Sequence, residues 1–167
     1  IGKDSRNHFR SVGTEHRLST HFWRKDKMSQ SVSRVLLHII FSTKDRLPII
    51  PNDLEKTLHA YIAGIIRNEK AEAYRVGGTE NHIHIACTLP RTCTQCDFVK
   101  LIKTRSSMWM KQQACSEFSW QRGYGVFSLG MSQLAVLMDY IDHQKEHHKT
   151  RDFKDEFEDI LDKYGLD

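Results

Sequence analysis

Residues 82–89 read His-Ile-His-Ile-Ala-Cys-Thr-Leu, and this alternation limits the fold more than any other stretch of the chain. Side chains of a strand point in turn to its two faces. One face carries Ile83, Ile85, Cys87 and Leu89 and is wholly apolar; the other carries His82, His84, Ala86 and Thr88. The apolar face has to be covered by another layer. The histidine face is left over. Its two imidazoles start about 7 Å apart along the backbone, close enough to converge on one ion, and neutral imidazole is a common metal ligand. On this motif alone, a half-exposed strand whose polar face happens to carry histidines is the favoured reading.

The flanking pattern supplies the other layers. Residues 32–41 (VSRVLLHIIF) predict a buried strand, and Thr43–Arg46 a polar turn. Pro48 and Pro51 keep the chain extended until Asn52 or Asp53 caps a helix with Leu54, Leu58, Tyr61, Ile62 and Ile65 on one stripe. Ala71–Val76 is a second strand, ended by Gly77-Gly78, and His82–Leu89 is the third. Thr94 or Gln95 opens a helix with Phe98, Leu101, Ile102, Met108 and Trp109 on its apolar face. Phe118–Phe127 is a fourth strand. Ser132 caps a helix over residues 132–149, and a last amphipathic helix carries Phe153, Phe157, Ile160, Leu161 and Tyr164, with Gly165 as its C-cap. The first six elements, β-α-β-β-α-β, match the split βαβ, ferredoxin-like arrangement. The expected class is therefore α+β: an antiparallel sheet with helices on one face and an additional C-terminal helix. That fold hosts many functions, so the activity has to be read from a site.

Charge narrows the partners less than it first promises. The 167 residues carry 25 basic and 21 acidic side chains, a net charge of +4. Residues 1–27 hold seven of the basic and three of the acidic ones, so the excess belongs to that stretch alone. It has no periodicity and reads as a disordered leader, such as translated upstream sequence, with a basic arm that grips DNA as the alternative; a natural start falls at Met28, and 28–167 read as one domain. No run of about 18 apolar residues could cross a membrane, and the leader has no apolar signal core, so a cytoplasmic protein is expected. Cys87, Cys93, Cys96 and Cys115 then read as free thiols. A zinc site is disfavoured because only one C-x2-C pair occurs and Cys87 falls on the apolar strand face.

Tyr140 and Gln144 lie one turn apart on the third helix, at the edge of a stripe formed by Leu134, Leu137, Met138 and Ile141. An edge position suits a side chain that reaches into a cleft, although a boundary tyrosine with a wet hydroxyl is common.

With these residues in view, the sequence resembles a family. Glu80-Asn81-His82-Ile83-His84-Ile85 is similar to the HUH motif, and Tyr140-Ile141-Asp142-His143-Gln144 to the tyrosine-plus-glutamine helix, of the single-tyrosine HUH transposases of bacterial insertion sequences, the IS200-like transposases. His38–Lys44, Ile102–Ser107 and Trp120–Gly125 follow in the family's order, so the likeness runs from about Ser33 to Tyr164. The resemblance implies a ferredoxin-like fold whose additional helix bears the nucleophile. It implies a magnesium or manganese ion on His82 and His84 with Gln144 as third ligand. It implies Tyr140 as the nucleophile, forming a 5′-phosphotyrosine link to single-stranded DNA and leaving a free 3′-OH. It also implies hairpin substrates at transposon ends and a homodimer. Asn81 stands where the family often has aspartate, and Cys93 and Cys96 occupy a loop that usually lacks them.

A hard cation and a tyrosine suit this chemistry. The ion withdraws charge from an anionic phosphodiester. A phenolate leaves more readily than an alkoxide, so the broken bond is stored for later rejoining. For DNA contact the candidates are Lys44, Arg46, Arg91, Lys100, Lys103 and Arg105, with Trp109, Trp120 and Tyr124 available for base stacking if they are not core. His143, His147 and His148 offer further metal ligands, but read rather as a solvated or DNA-facing side of the third helix. The rival reading is a non-catalytic or domesticated binder of single-stranded nucleic acid on the same fold.

Overall fold

β1 (Leu36–Ser42) and β3 (His82–Thr88) are buried at every residue, which requires cover on both faces of the sheet. The structure is a computed structural model that describes residues 32–113, 115–148 and 153–166. The expected leader, residues 1–27, lies outside the described residues. Along the chain follow β1, α1 (Asn52–Asn68), β2 (Ala73–Gly78), β3, α2 (Gln95–Gln112), β4 (Gly125–Leu129), α3 (Leu134–Asp142), α4 (Gln144–His147) and α5 (Phe153–Lys163), with short 3-10 turns at Lys44–Arg46 and Met131–Gln133. The sheet order is β2-β3-β1-β4, and all three neighbouring pairs are antiparallel. This is the expected α+β sheet of the ferredoxin-like kind.

The apolar face of β3 meets α1 and α2. Ile83, Ile85 and Cys87 pack with Leu37, Ile39 and Phe41 of β1 beneath Leu58, Ile62 and Ile66 of α1 and Phe98, Val99 and Ile102 of α2. In α2 the buried line is Phe98, Ile102, Ser106 and Met110, spaced four apart. Met108, expected in the core, is instead 59% exposed, because it lies off that line.

The opposite face is covered by α3 and α5. Leu137 and Ile141 of α3 pack on Ala86, and Phe153 of α5 packs with Ile40 and Phe127. α3 can lie this close because β2 presents a glycine: a Cβ on Gly77 would stand 2.6 Å from Ile141 Cγ2 and 3.0 Å from its carbonyl oxygen. The histidines of β3 are thereby enclosed between two helices.

The fourth strand begins later than the sequence pattern predicts, at Gly125 rather than Phe118. Lys103 Nζ donates to the carbonyls of Gln121, Arg122 and Gly123 at 2.6, 3.1 and 3.0 Å, which removes them from any ladder. Phe118 and Trp120 turn into the core, where the Trp120 indole donates to Ser106 Oγ at 2.9 Å. Trp120 is therefore not available for base stacking, and Trp109 is stacked on Tyr61. Tyr124 remains exposed.

The third helix is also interrupted. His143 Nδ1 lies 2.8 Å from the Asp139 carbonyl oxygen, and the helix breaks there into α3 and α4. A side chain competing for a helical carbonyl is a recognised cause of such breaks.

Candidate metal and nucleophile site

Register places the histidines. His84 lies opposite Ile40, and His82 opposite Ser42. His38, opposite Ala86, is the diagonal neighbour of His84 on the same face. His38 Nε2 sits 2.9 Å from His84 Nδ1, so one proton is shared there and the outer nitrogen of His84, Nε2, turns toward α3 and α5. His82 and His84 are fully buried.

The tautomer of His82 follows from its neighbours. Asn81 Oδ1 lies 2.7 Å from His82 Nδ1 and also accepts from the Thr79 hydroxyl at 3.0 Å. Amide oxygens only accept, and a neutral imidazole has one proton, so Asn81 Oδ1 at Nδ1 and Gln144 Oε1 at Nε2 cannot both be served; the shorter contact is at Nδ1, and with the proton there Nε2 presents a lone pair. Asn81 thus does the orienting work that an aspartate would do from the same place.

That lone pair meets another. Gln144 Nε2 donates to Glu156 Oε1 at 2.8 Å, which fixes the amide and aims its oxygen at His82 Nε2, 2.9 Å away. Burial, reinforced by His84, pushes the His82 pKa down to about 3, so near neutral pH no proton fills the gap. His84 Nε2 is buried without a hydrogen-bond partner, 3.4 Å from Glu156 Oε1. His82 Nε2 is 3.5 Å from Glu156 Oε2. Facing acceptors in a dry site repel unless a cation stands among them. Imidazole nitrogens, an amide oxygen and a carboxylate form a donor set that fits a divalent ion. His82, His148 and Glu156 alone bring three ligand atoms within 4.8 Å of one another.

Tyr140 joins the same cluster from α3. Its ring lies 5.7 Å from that of His84, edge to face, and its hydroxyl donates to Glu156 Oε1. Burial and the Glu156 carboxylate raise its pKa well above the ordinary phenol. Burial alone would raise the Glu156 carboxyl too, but His84, Tyr140 and Gln144 outweigh it and hold the group far below the usual carboxylate range.

The four residues singled out by sequence, His82, His84, Tyr140 and Gln144, are therefore together. Gln144 is more deeply placed than the helix edge predicts, at 1% exposure, because the break at His143 turns it inward. Two further members, His38 and Glu156, were not singled out, and a third, His148, was weighed as a metal ligand but placed on the solvated side. His148, read as surface, lies only 2.9 Å from Glu156 Oε2. Glu156 did leave a signal: Phe153, Phe157 and Ile160 place it inside the apolar stripe of α5, where a solvated carboxylate does not belong.

The candidate DNA-contacting cations are dispersed. Arg46 stacks over Phe153 at 5.8 Å and, with Tyr124 and Phe157, lines a cleft of about 580 Å³. Lys100 and Lys103 line a second groove with Lys111, Arg122 and Tyr124. Lys44 and Arg91 are exposed apart from it, and Arg105 pairs with Glu69 at 3.5 Å. No helix among the described residues is long and apolar enough to cross a membrane.

Comparison with known proteins gives the constellation its context. A crystal structure of a Deinococcus radiodurans R1 protein assigned as a transposase superposes with a TM-score of 0.53, at 21% identity, over 68% of this chain and 93% of the other. A REP-associated tyrosine transposase bound to a REP hairpin superposes with a TM-score of 0.54, at 16% identity, over 71% of this chain and 72% of the other. At such identities the likeness shows the fold. None of the curated proteins compared with the chain matches it. The sequence model of the family described as Transposase IS200 like matches residues 31–144, more than half of the chain, and the chain belongs to that family.

Proposed function

We propose that this transposase cuts and rejoins single-stranded DNA through Tyr140, with a magnesium or manganese ion on His82, His84 and Gln144. The observation that supports the reading most is the gathering of His82 Nε2, Gln144 Oε1 and the buried, unpartnered His84 Nε2 beside the Tyr140 phenol. When bound, the ion polarises the scissile phosphate and neutralises its charge. His38 and Asn81 orient the two imidazoles, and α3 holds the phenol over them.

Tyr140 Oη forms a bond to phosphorus, the bond from phosphorus to the 3′ oxygen breaks, and that oxygen leaves as a 3′-OH after taking a proton. The phenol loses its proton in the same exchange. The 5′-phosphotyrosine conserves the bond, so an incoming 3′-OH reverses the step without ATP.

The DNA partner is proposed to be a hairpin, the ligand carried by the REP-associated structural neighbour. Lys100, Lys111 and Arg122 would neutralise its phosphates, and Tyr124 would stack on an unpaired base, while Lys103 is occupied by the carbonyls of residues 121–123. A homodimer is compatible with this site but is not required to complete it, since every member comes from one chain.

The test is incubation of the full chain with labelled hairpin DNA, with and without Mn2+. A covalent adduct that needs the ion and disappears in Tyr140→Phe, with DNA binding retained, supports the reading. DNA binding with no adduct under any ion favours the rival, a non-catalytic binder.

A further inference from the structure

We infer that Glu156 of α5 is an additional, anionic ligand of the same divalent ion, supplied from outside the region shared with the family. The inference rests on the metal reading above but concerns a residue that reading does not use. The family match ends at residue 144, and Glu156 lies 12 positions beyond it. Nevertheless it is 6% exposed and stands against both histidines of β3.

Each carboxylate oxygen faces one of them: Oε1 is 3.4 Å from His84 Nε2, and Oε2 is 3.5 Å from His82 Nε2. Donors held about 2.1 Å from one cation stand about 3.0 Å apart at right angles and about 3.4 Å apart at tetrahedral angles. Three contacts have spacings close to these: 2.9 Å from His82 Nε2 to Gln144 Oε1, 3.4 Å from His84 Nε2 to Glu156 Oε1 and 3.5 Å from His82 Nε2 to Glu156 Oε2. His84 Nε2, buried and without a hydrogen-bond partner, is aimed into the same space.

The surroundings explain why a carboxylate survives there. Tyr140, Gln144 and His148 each hydrogen-bond to it, so the group is held in place whichever partner it serves. Phe153 and Phe157 anchor its helix: the Phe153 ring stacks on His82 at 4.5 Å. Two imidazoles and an amide are neutral and bind a hard cation weakly. A negative oxygen makes the set tighter and ties ion retention to the docking of α5.

The test is Mn2+ binding to the full chain, read by electron paramagnetic resonance of the free ion, for the unaltered protein, Glu156→Gln, Glu156→Asp and His82→Ala. Glu156→Gln keeps the hydrogen-bonding shape and removes the charge; its dissociation constant rises at least about tenfold, the scale of losing one supporting group of a metal site. Glu156→Asp keeps the charge on a shorter arm and falls between, and it carries the test if Glu156→Gln does not fold. Unchanged or tighter Mn2+ binding in Glu156→Gln, or in Glu156→Asp where that variant stands in for it, overturns the inference. If His82→Ala loses the ion while Glu156→Gln keeps it, the proposed function stands and this inference alone fails. If the unaltered protein binds no Mn2+, both fail.

Discussion

His82 Nε2 and Gln144 Oε1 face each other at 2.9 Å, and the one proton of the His82 ring cannot serve both this oxygen and Asn81 Oδ1. Asn81 holds the His82 proton on the far nitrogen, and Glu156 turns the Gln144 amide so that its oxygen points inward. A strand, a broken helix and a distant helix thus agree on one point in space where positive charge is wanted.

A cation bound there stabilises the fold by mass action. At a hundredfold excess of Mn2+ over its dissociation constant the gain is about 2.7 kcal/mol. For a chain of this length that is a rise of about 5–10 °C in the unfolding midpoint. Differential scanning calorimetry with and without Mn2+ checks it, and His82→Ala loses the rise.

On the proposed reading, Tyr140 is expected to act with the histidines of its own chain. Gly77 lets α3 sit directly on β2, and Arg75 and Asp142 pair across that contact at 3.1 Å. Lys145 of α4 holds Glu55 of α1 at 2.6 Å. Only residues 130–133 join β4 to α3, too short a link to carry the helix far. Mixing Tyr140→Phe chains with His84→Ala chains therefore yields no covalent DNA adduct. Recovery of adduct in the mixture would mean that a tyrosine serves a neighbouring subunit's histidines.

Gly77→Ala forces Ile141 away from the sheet, because the added carbon would stand 2.6 Å from its side chain. Overpacking of this kind costs about 1–3 kcal/mol. Urea denaturation measures the loss, and the yield of adduct falls with it although every site residue is intact.

Acid weakens the fold before it touches ordinary carboxylates. Burial, reinforced by His84, lowers His82 from 6.5 to about 3 and lowers His38 in the same direction. Below pH 6.5 the unfolded chain takes up protons that the folded chain refuses, so stability is full above that value and declines as pH falls toward 3. The slope is up to about 1.4 kcal/mol per pH unit for each such histidine. Denaturant midpoints between pH 7.5 and pH 4.5 measure it, and His82→Gln has a shallower slope.

The sequence made part of this legible. The two-residue period of 82–89 exposes both the strand and its histidine pair, and Tyr140 and Gln144 are found at helical spacing. The depth of the site was hidden, because a histidine face looks solvated until α3 and α5 are known to close over it. His38 is one histidine in an otherwise apolar strand, and only strand register shows that it supports His84. Glu156 is one of many acids in a charged helix; its place among Phe153, Phe157 and Ile160 was the available clue. The start of β4 was missed because Lys103, far off in sequence, withdraws the carbonyls of residues 121–123 from pairing.

The most direct test is identification of the residue that becomes attached to DNA. The full chain is reacted with hairpin DNA and Mn2+, digested, and its nucleotide-bearing peptide sequenced by mass spectrometry. The account predicts a phosphodiester on Tyr140 that is lost when the ion is chelated before mixing. A nucleotide on any other side chain, or an adduct formed equally well without the ion, contradicts it.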